Sequence, residues 1–464
     1  MESEQETGVK KKQFDMFNGT LWNKIPLFAL PVAATAILEQ LFNASDLAIV
    51  GNFAEKELQT PAVAAVGANS SVIGLIVNLF IGIALGTNVV IANAIGHQNK
   101  DKIQKAVHTS VTLAFFGGIL VAILGEFISS PLLKLLHVPN DVFDLALLYL
   151  RIYLLGMPVI LLYNFEAAIF RSIGETKTPL IALAISGVLN VMLNLFFVVI
   201  LHMTVNGVAI ATVISNAVSS VILYRKLRTT VLDIHIDPKK LGVDTGILKQ
   251  ILKIGVPVGI QSAVFSVSNI VIQSAINSLG AVVMAASSAA FNIEIITYDI
   301  FNSFSQACTT FVSQNYGAGN LKRCRKILAL CILEAAVILT AAIVTILFFG
   351  KPLLSIFNDD PKVISVGYLR IMIIMPAHIF SMLYETMSGY LRGFGISFAP
   401  AIMTILGVCG IRIAWIKLVF SQYENFKTIM AVYPLSLGIT ALMILCAVLY
   451  YRPSRKSALN KTKV

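Results

Sequence analysis

The chain has 464 residues, of which 57% are hydrophobic and only 13% charged, with a formal net charge of +11. That charged share is about half the value of a soluble globular domain. These values exclude an ordinary soluble protein, a disordered chain and a disulfide scaffold, and fit a chain that spends most of its length in lipid. Met1 to Phe17 is polar and mixed in charge, without the apolar core of a cleaved signal peptide. From Ile25 to Tyr451, apolar segments long enough to cross the hydrocarbon core recur. Each must satisfy its own backbone hydrogen bonds, which leaves helices or a closed barrel. Runs such as Val191–Ile200 and Leu339–Phe349 lack the alternation of barrel strands. The expected fold is an all-α membrane protein with twelve transmembrane helices. Its spans are 25–50, 61–97, 102–127, 142–170, 178–201, 207–227, 250–278, 282–316, 323–349, 361–391, 399–420 and 429–451. Gly82 and Gly86 are positions at which the long second helix is expected to bend. The longest polar stretch, Tyr224 to Lys253, is too short to fold as a further domain.

Lys and Arg set the orientation. The N-terminus and every loop from an even to an odd helix collect most of them, including Lys10–Lys12, Lys100–Lys105, Arg171, Arg225–Arg228, Lys239, Lys240, Lys322–Lys326, Arg392 and the C-terminal group from Arg452. The opposite loops hold only Lys56, Lys134, Lys351, Lys362 and Lys427. Both termini are therefore expected in the cytoplasm of a plasma membrane, a bacterial inner membrane given the short loops. Charge that alternates loop by loop is not a nucleic-acid patch, so no nucleic-acid partner is expected.

The chain also repeats itself. Tyr149-Leu-Arg-Ile152 recurs as Tyr368-Leu-Arg-Ile371, each followed by a proline, Pro158 and Pro376. Arg171-Ser-Ile-Gly174 matches Arg392-Gly-Phe-Gly395, and Pro179 matches Pro400. Pro31-Val32 matches Pro257-Val258, Asn43 falls opposite Asn269, and Ile95-Gly-His-Gln-Asn99 matches Tyr316-Gly-Ala-Gly-Asn320. The order is kept and the spacing is nearly constant, which similarity between apolar helices alone does not explain. The halves are 1–235 and 236–464, each with six spans. An even number of spans gives both halves the same orientation, so the two bundles are parallel repeats with a substrate path between them.

These motifs resemble one family. The first half reads Pro31, Asn43-Ala-Ser-Asp46-Leu-Ala-Ile-Val-Gly51, Val63-Ala-Ala-Val-Gly67, Ala92-Asn-Ala-Ile-Gly96 and Arg171-Ser-Ile-Gly174-Glu-Thr-Lys-Thr-Pro179. With Phe311-Val-Ser-Gln-Asn-Tyr-Gly317-Ala-Gly-Asn320 in the second half, the pattern resembles the MATE (multidrug and toxic compound extrusion) family over almost the whole chain. The resemblance implies a twelve-helix exporter with two lobes. It also implies antiport of lipophilic, often cationic, organic compounds against Na⁺ or H⁺, with no cofactor. Small organic molecules and membrane lipids are then the expected partners, and a monomer the expected state.

Intramembrane charge is costly and marks candidate functional residues. Glu39, Asn43 and Asp46 share one face of the first helix. Asn190 and Asn194 are one turn apart in the fifth, and Thr212 lies near the start of the sixth. A carboxylate with two amide oxygens and a hydroxyl suits a hard cation such as Na⁺; the same carboxylate, desolvated, suits a proton. The resemblance places the coupling aspartate at Asp46 and its partners at Asn190, Asn194 and Thr212. Some members carry Asp at the position of Asn194, and with Asn the site is less negative. Some place a glutamate in the seventh helix, where this chain has Gln261, Phe265 and Asn269, so coupling is expected in the N-terminal half. Glu294 and Asp299 in the eighth helix, with Glu39 and Asn43, are weaker candidates for the substrate cavity. Glu294 and Asp299 lie about 140° apart around a helix and are not expected to share a face. Glu166 with Arg171, and Glu385 with Arg392, are expected as structural ion pairs, and Arg151 and Arg370 as structural residues. Arg412 and Lys417 are expected to be paired or to snorkel toward an interface, and His378 to be a satisfied polar residue.

Other classes find less support. A lipid or lipid-linked oligosaccharide flippase is the nearest alternative. It would need a cationic cavity, of which Arg412 and Lys417 are the only mid-span signs. No GxxxxGK[ST] loop marks an ATPase. The five cysteines lack ligand spacing, and the histidines (His97, His108, His137, His202, His235, His378) are scattered. No enzyme is expected.

Overall fold

The computed structural model describes residues 14–136 and 138–454. His137 and the terminal cations Lys10–Lys12, Arg455, Lys456, Lys461 and Lys463 lie outside them. All regular structure among the described residues is helical. The helices are α1 (Lys24–Phe53), α2 (Gln59–Gly96), α3 (Lys100–Leu135), α4 (Asn140–Leu155), α5 (Met157–Ser172), α6 (Lys177–Leu195), α7 (Val205–Thr229), α8 (Thr245–Asn277), α9 (Ala281–Gly317), α10 (Leu321–Ser355), α11 (Pro361–Gly393), α12 (Phe398–Thr404), α13 (Ile411–Trp415) and α14 (Phe426–Tyr451). π-helical turns continue α6 over Phe196–Ile200 and flank α13 over Ile405–Gly410 and Ile416–Phe420. Among the described residues eleven spans are long and apolar enough to cross a membrane, and the bent pair α4–α5, taken as one span, makes a twelfth. Their outward faces stay apolar, with Phe116, Phe127, Val188 and Phe348 all exposed, as a lipid-facing surface requires.

The fourth span differs from the unbroken helix expected over 142–170. It bends by 50° between Leu155 and Met157. Pro158 removes a backbone donor and crowds the preceding turn, and Gly156 in front of it lets α7 close in on the bend, since a Cβ there would stand 2.3 Å from Val213 Cγ2. The matching Pro376 sits inside a continuous α11, where no glycine stands at the equivalent place.

Polar residues punctuate the spans. Asn99 accepts the Lys102 N–H at 2.9 Å and starts α3, and Asp244, Asp360 and Asn425 cap α8, α11 and α14 in the same way. The matched loops are built alike. Gly174 and Gly395 both adopt left-handed φ, +85° and +80°. Glu175 N–H reaches back to the Phe170 carbonyl at 3.1 Å, and Ile396 N–H to Leu391 at 3.0 Å. This six-to-one bond closes a helix at a residue whose φ favours glycine. The repeat seen in the letters is thus a repeat of backbone geometry.

Two six-helix bundles result, and their first helices cross over. The start of α1 (Ile25, Phe28, Ala29, Val32) packs into the core of the second bundle, while its end (Ile49, Val50) packs into the first. The start of α8 (Ile247, Ile251, Ile254) joins the first bundle's core, and its end (Ile272, Ala275, Ile276) joins the second. α2 lies against α8 along the seam. Gly82 and Gly86 belong to this contact, and α2 runs without a break from Gln59 to Gly96. A Cβ at Gly82 would stand 2.3 Å from the Gly259 amide nitrogen, and one at Gly86 2.3 Å from the Ile251 carbonyl oxygen. Beyond the glycines, toward the C-terminal ends of α2 and α9, hydrogen bonds tie the bundles. Thr310 Oγ1 donates to Asn88 Oδ1 at 3.0 Å, Ser313 Oγ to the Val89 carbonyl at 2.8 Å, and Gln314 Nε2 to the Ser172 carbonyl at 2.6 Å.

Candidate functional site

Two polar places in the interior hold most of the candidate residues. The first lies inside the first bundle, between α1, α6 and α7. Asp46 is 5% exposed. Its Oδ1 accepts from Asn194 Nδ2 at 2.6 Å and its Oδ2 from the Thr212 hydroxyl at 3.1 Å. Asn194 Nδ2 also donates to Asn190 Oδ1 at 3.1 Å, and Asn190 Nδ2 to Thr212 Oγ1 at 3.4 Å. The four residues named from the sequence thus form one hydrogen-bonded ring. Helical spacing explains the asparagines: one turn apart, they face the same neighbour. The π-helical turn that follows Leu195 begins two residues after Asn194. Asn194 Oδ1 is buried without a hydrogen-bond partner, so one amide oxygen of the ring is left free while its amide nitrogen faces the carboxylate. Such an oxygen is a suitable further donor for a hard cation.

The second place is a cavity of about 470 Å³ between the bundles, lined from both. Glu39 reaches it from α1, two turns before Asp46. Asn43, expected on the same stripe, is exposed and lines neither place; the stripe divides, because α1 leaves one bundle for the other along its length. Glu294 and Asp299 both line the cavity, although their helical angle placed them on different faces. The cavity wraps around α9, with Ile295, Tyr298 and Asn302 between and beyond them also in its wall. Glu294 is not a free acid. Arg370 Nε and Nη2 grip its two carboxylate oxygens, each at 2.7 Å, with both side chains almost fully buried. Arg370 also bonds the Ser287 hydroxyl.

Glu385 and Arg392 pair at 3.6 Å, and Arg151 pairs with Glu126 at 3.3 Å. The expected Glu166–Arg171 pair is absent. Glu166 accepts from the Ser220 hydroxyl at 3.0 Å, whereas Arg171 turns to the cavity and donates to Gln306 Oε1 at 2.8 Å. Residues five apart diverge around a helix, so the two side chains leave in different directions. Arg412 is buried and lines the cavity, while Lys417 is exposed. His378 lines the cavity with its ring edge-on to Phe301. Sequence reasoning missed Gln306, Asn164 and Asn302, whose amides face the cavity; nothing in their local pattern distinguishes them from interhelical hydrogen-bonding residues.

The MatE family model matches residues 31–196 and again 257–416, one match in each bundle. The chain belongs to the MatE family. It is accordingly a multi-pass membrane protein of a transporter family. Among MatE relatives it is similar to the "Probable multidrug resistance protein YoeA" of Bacillus subtilis, 26% identical over 455 residues that cover 96% of each chain. It is also similar to the "Probable multidrug resistance protein NorM" of Thermotoga maritima, 28% identical over 393 residues covering 83% of this chain and 82% of that one. A crystal structure of MATE in the bent conformation superposes with a TM-score of 0.88 at 20% identity, over 97% of this chain and 99% of that one. The MatE fold of two parallel six-helix bundles is therefore the fold of this chain.

Proposed function

We propose that this chain is a secondary active exporter that exchanges lipophilic, often cationic, organic compounds for Na⁺ or H⁺ across a plasma membrane. The relatives' names, multidrug resistance proteins, point the same way. The observation that carries the reading is the place of Asp46: a carboxylate sealed in one bundle, on the same helix as Glu39 in the cavity wall. The coupling ion is taken at Asp46, Asn190, Asn194 and Thr212. With Na⁺, turning the Asn194 amide brings its free oxygen beside the carboxylate; with H⁺, Asp46 itself carries the proton. Either event removes the negative charge that holds Asn194 and Thr212, and so changes how α1 sits against α6 and α7. Two turns along α1, about 10 Å, that change reaches the organic compound in the cavity. Exchange follows if ion and compound favour different arrangements of the lobes, 1–235 and 236–464, since a ligand that binds both equally shifts nothing. The cavity lies between two bundles of one chain, so a monomer suffices.

The test is ethidium efflux from proteoliposomes under a Na⁺ gradient or a pH gradient, imposed separately. One gradient is expected to drive efflux by the wild type, which names the ion, and Asp46→Asn is expected to fall to the leak rate while inserting normally. Wild-type efflux by Asp46→Asn would remove Asp46 from coupling. Orientation is tested by labelling: a membrane-impermeant maleimide on intact cells should miss Lys240→Cys and reach Asp359→Cys. The reverse pattern would invert the topology.

A further inference from the structure

The two bundles carry opposite charges at corresponding places. In the first, spans one, five and six gather Asp46, Asn190, Asn194 and Thr212. In the second, the corresponding α8, α13 and α14 gather a guanidinium. Arg412 Nη1 lies 3.4 Å from Asn269 Oδ1, and its Nε lies 3.4 Å from Ser436 Oγ. The guanidinium carbon stands 4.4 Å from the Tyr433 ring centre and 5.5 Å from that of Phe265. Asn269 is the residue that the repeat sets opposite Asn43.

Arg412 is 3% exposed. Among the described residues no carboxylate lies within ion-pair distance of it. Its two hydrogen bonds are long for N–H···O contacts, and ring faces give a buried cation only part of what water gave. Its neighbour in the wall, Arg370, is different: Glu294 neutralises it with two short bonds. Among the described residues that line the cavity, Arg412 is thus a fully buried cation whose counter-charge the protein does not supply, whereas Arg171, half-buried in the same wall, is held by the Gln306 amide. The backbone marks the same spot. Arg412 sits in one short α-helical stretch, Ile411–Trp415, between two π-helical turns, and such turns are rare and concentrate at functional sites.

We infer that Arg412 is an anion-recognising residue of the central cavity, one that takes the carboxylate of an aromatic organic acid or amphoteric compound. A guanidinium matches a carboxylate through two parallel hydrogen bonds. Phe265 and Tyr433 offer the flat apolar body a surface. Glu39 and Asp299 line the same cavity, without an ion-pair partner among the described residues, and suit a basic group at the other end of an amphoteric compound. The inference rests on the exporter reading for its biological use, because it names one end of the compounds exported.

The experiment uses the full chain in detergent with no ion gradient. Fluorescence titrations compare dansylglycine with dansylglycinamide, which differ in the carboxylate. The wild type is expected to bind the acid about ten- to a hundredfold tighter, the range of one charge-assisted interaction. Arg412→Gln is expected to bind the two alike, its fold checked by a single symmetric size-exclusion peak in detergent. Arg412→Lys, which retains the charge and guards against misfolding of the Gln variant, is expected to lose most of the preference because the planar fork is gone. Equal affinities for acid and amide in the wild type would overturn the inference, as would an undiminished preference in either folded variant. Failure of ethidium efflux in proteoliposomes would instead strike the exporter reading and leave the binding result standing.

Discussion

Glu294 and Arg370 show what a charge inside this protein requires. Each is buried, and each satisfies the other through a two-pronged contact. Removing one partner of such a pair leaves an uncompensated charge, a loss of about 3–5 kcal/mol. Glu294→Gln is therefore expected to lower the thermal midpoint of the detergent-purified protein, and an added Arg370→Met to restore most of it. An unchanged midpoint in Glu294→Gln would mean that the pair contributes nothing. The sequence showed Glu294 as an acid within an apolar helix but not its partner, because Arg370 lies on α11, 76 residues on. Asp46 was legible for the same reason as Glu294. Spacing put Asn190 and Asn194 on one face, but it was the family resemblance that joined them and Thr212 to Asp46. Arg171 was misplaced: proximity to Glu166 in sequence suggested a pair, but the two side chains diverge, Glu166 to Ser220 and Arg171 to Gln306.

At the scale of the helix, two devices recur. Left-handed residues end α5 and α11, and ungapped glycine contacts let α2 lie against α8. The first was readable as matched Arg-x-x-Gly loops. The second was not, because a glycine at a bend and a glycine at a close crossing look alike in one dimension. The distinction is testable. A Cβ at Gly82 meets the backbone of Gly259 at 2.3 Å, whereas one at Gly67 meets nothing within 4 Å. Overpacking against backbone that cannot yield costs about 1–3 kcal/mol, while alanine in an open helical site is favoured over glycine. Gly82→Ala is expected to lower the thermal midpoint and Gly67→Ala to hold or raise it. A harmless Gly82→Ala would show that the seam is looser than its geometry implies. The bend at Gly156 was likewise hidden: Pro158 and Pro376 are matched prolines, yet only the first sits beside a glycine.

Across the whole molecule, α1 and α8 each begin in one bundle's core and end in the other's. Duplication was readable in the letters, but this exchange was not, since periodicity shows which face is apolar and not which bundle it meets. The exchange matters because α1 bears both Asp46 and Glu39, so an event at the ion site and one in the cavity act on the same rod. Coupling of that kind is reciprocal: if the ion gradient moves the organic compound, a gradient of the compound must move the ion. The most direct test loads proteoliposomes with ethidium, imposes no ion gradient, and follows ²²Na⁺ entry and internal pH as ethidium leaves. Wild-type protein is predicted to bring in one of the two ions in step with ethidium loss, and Asp46→Asn to bring in neither. Ethidium leaving the wild type with no movement of Na⁺ or H⁺, or ion entry undiminished in Asp46→Asn, would contradict ion-coupled export through Asp46.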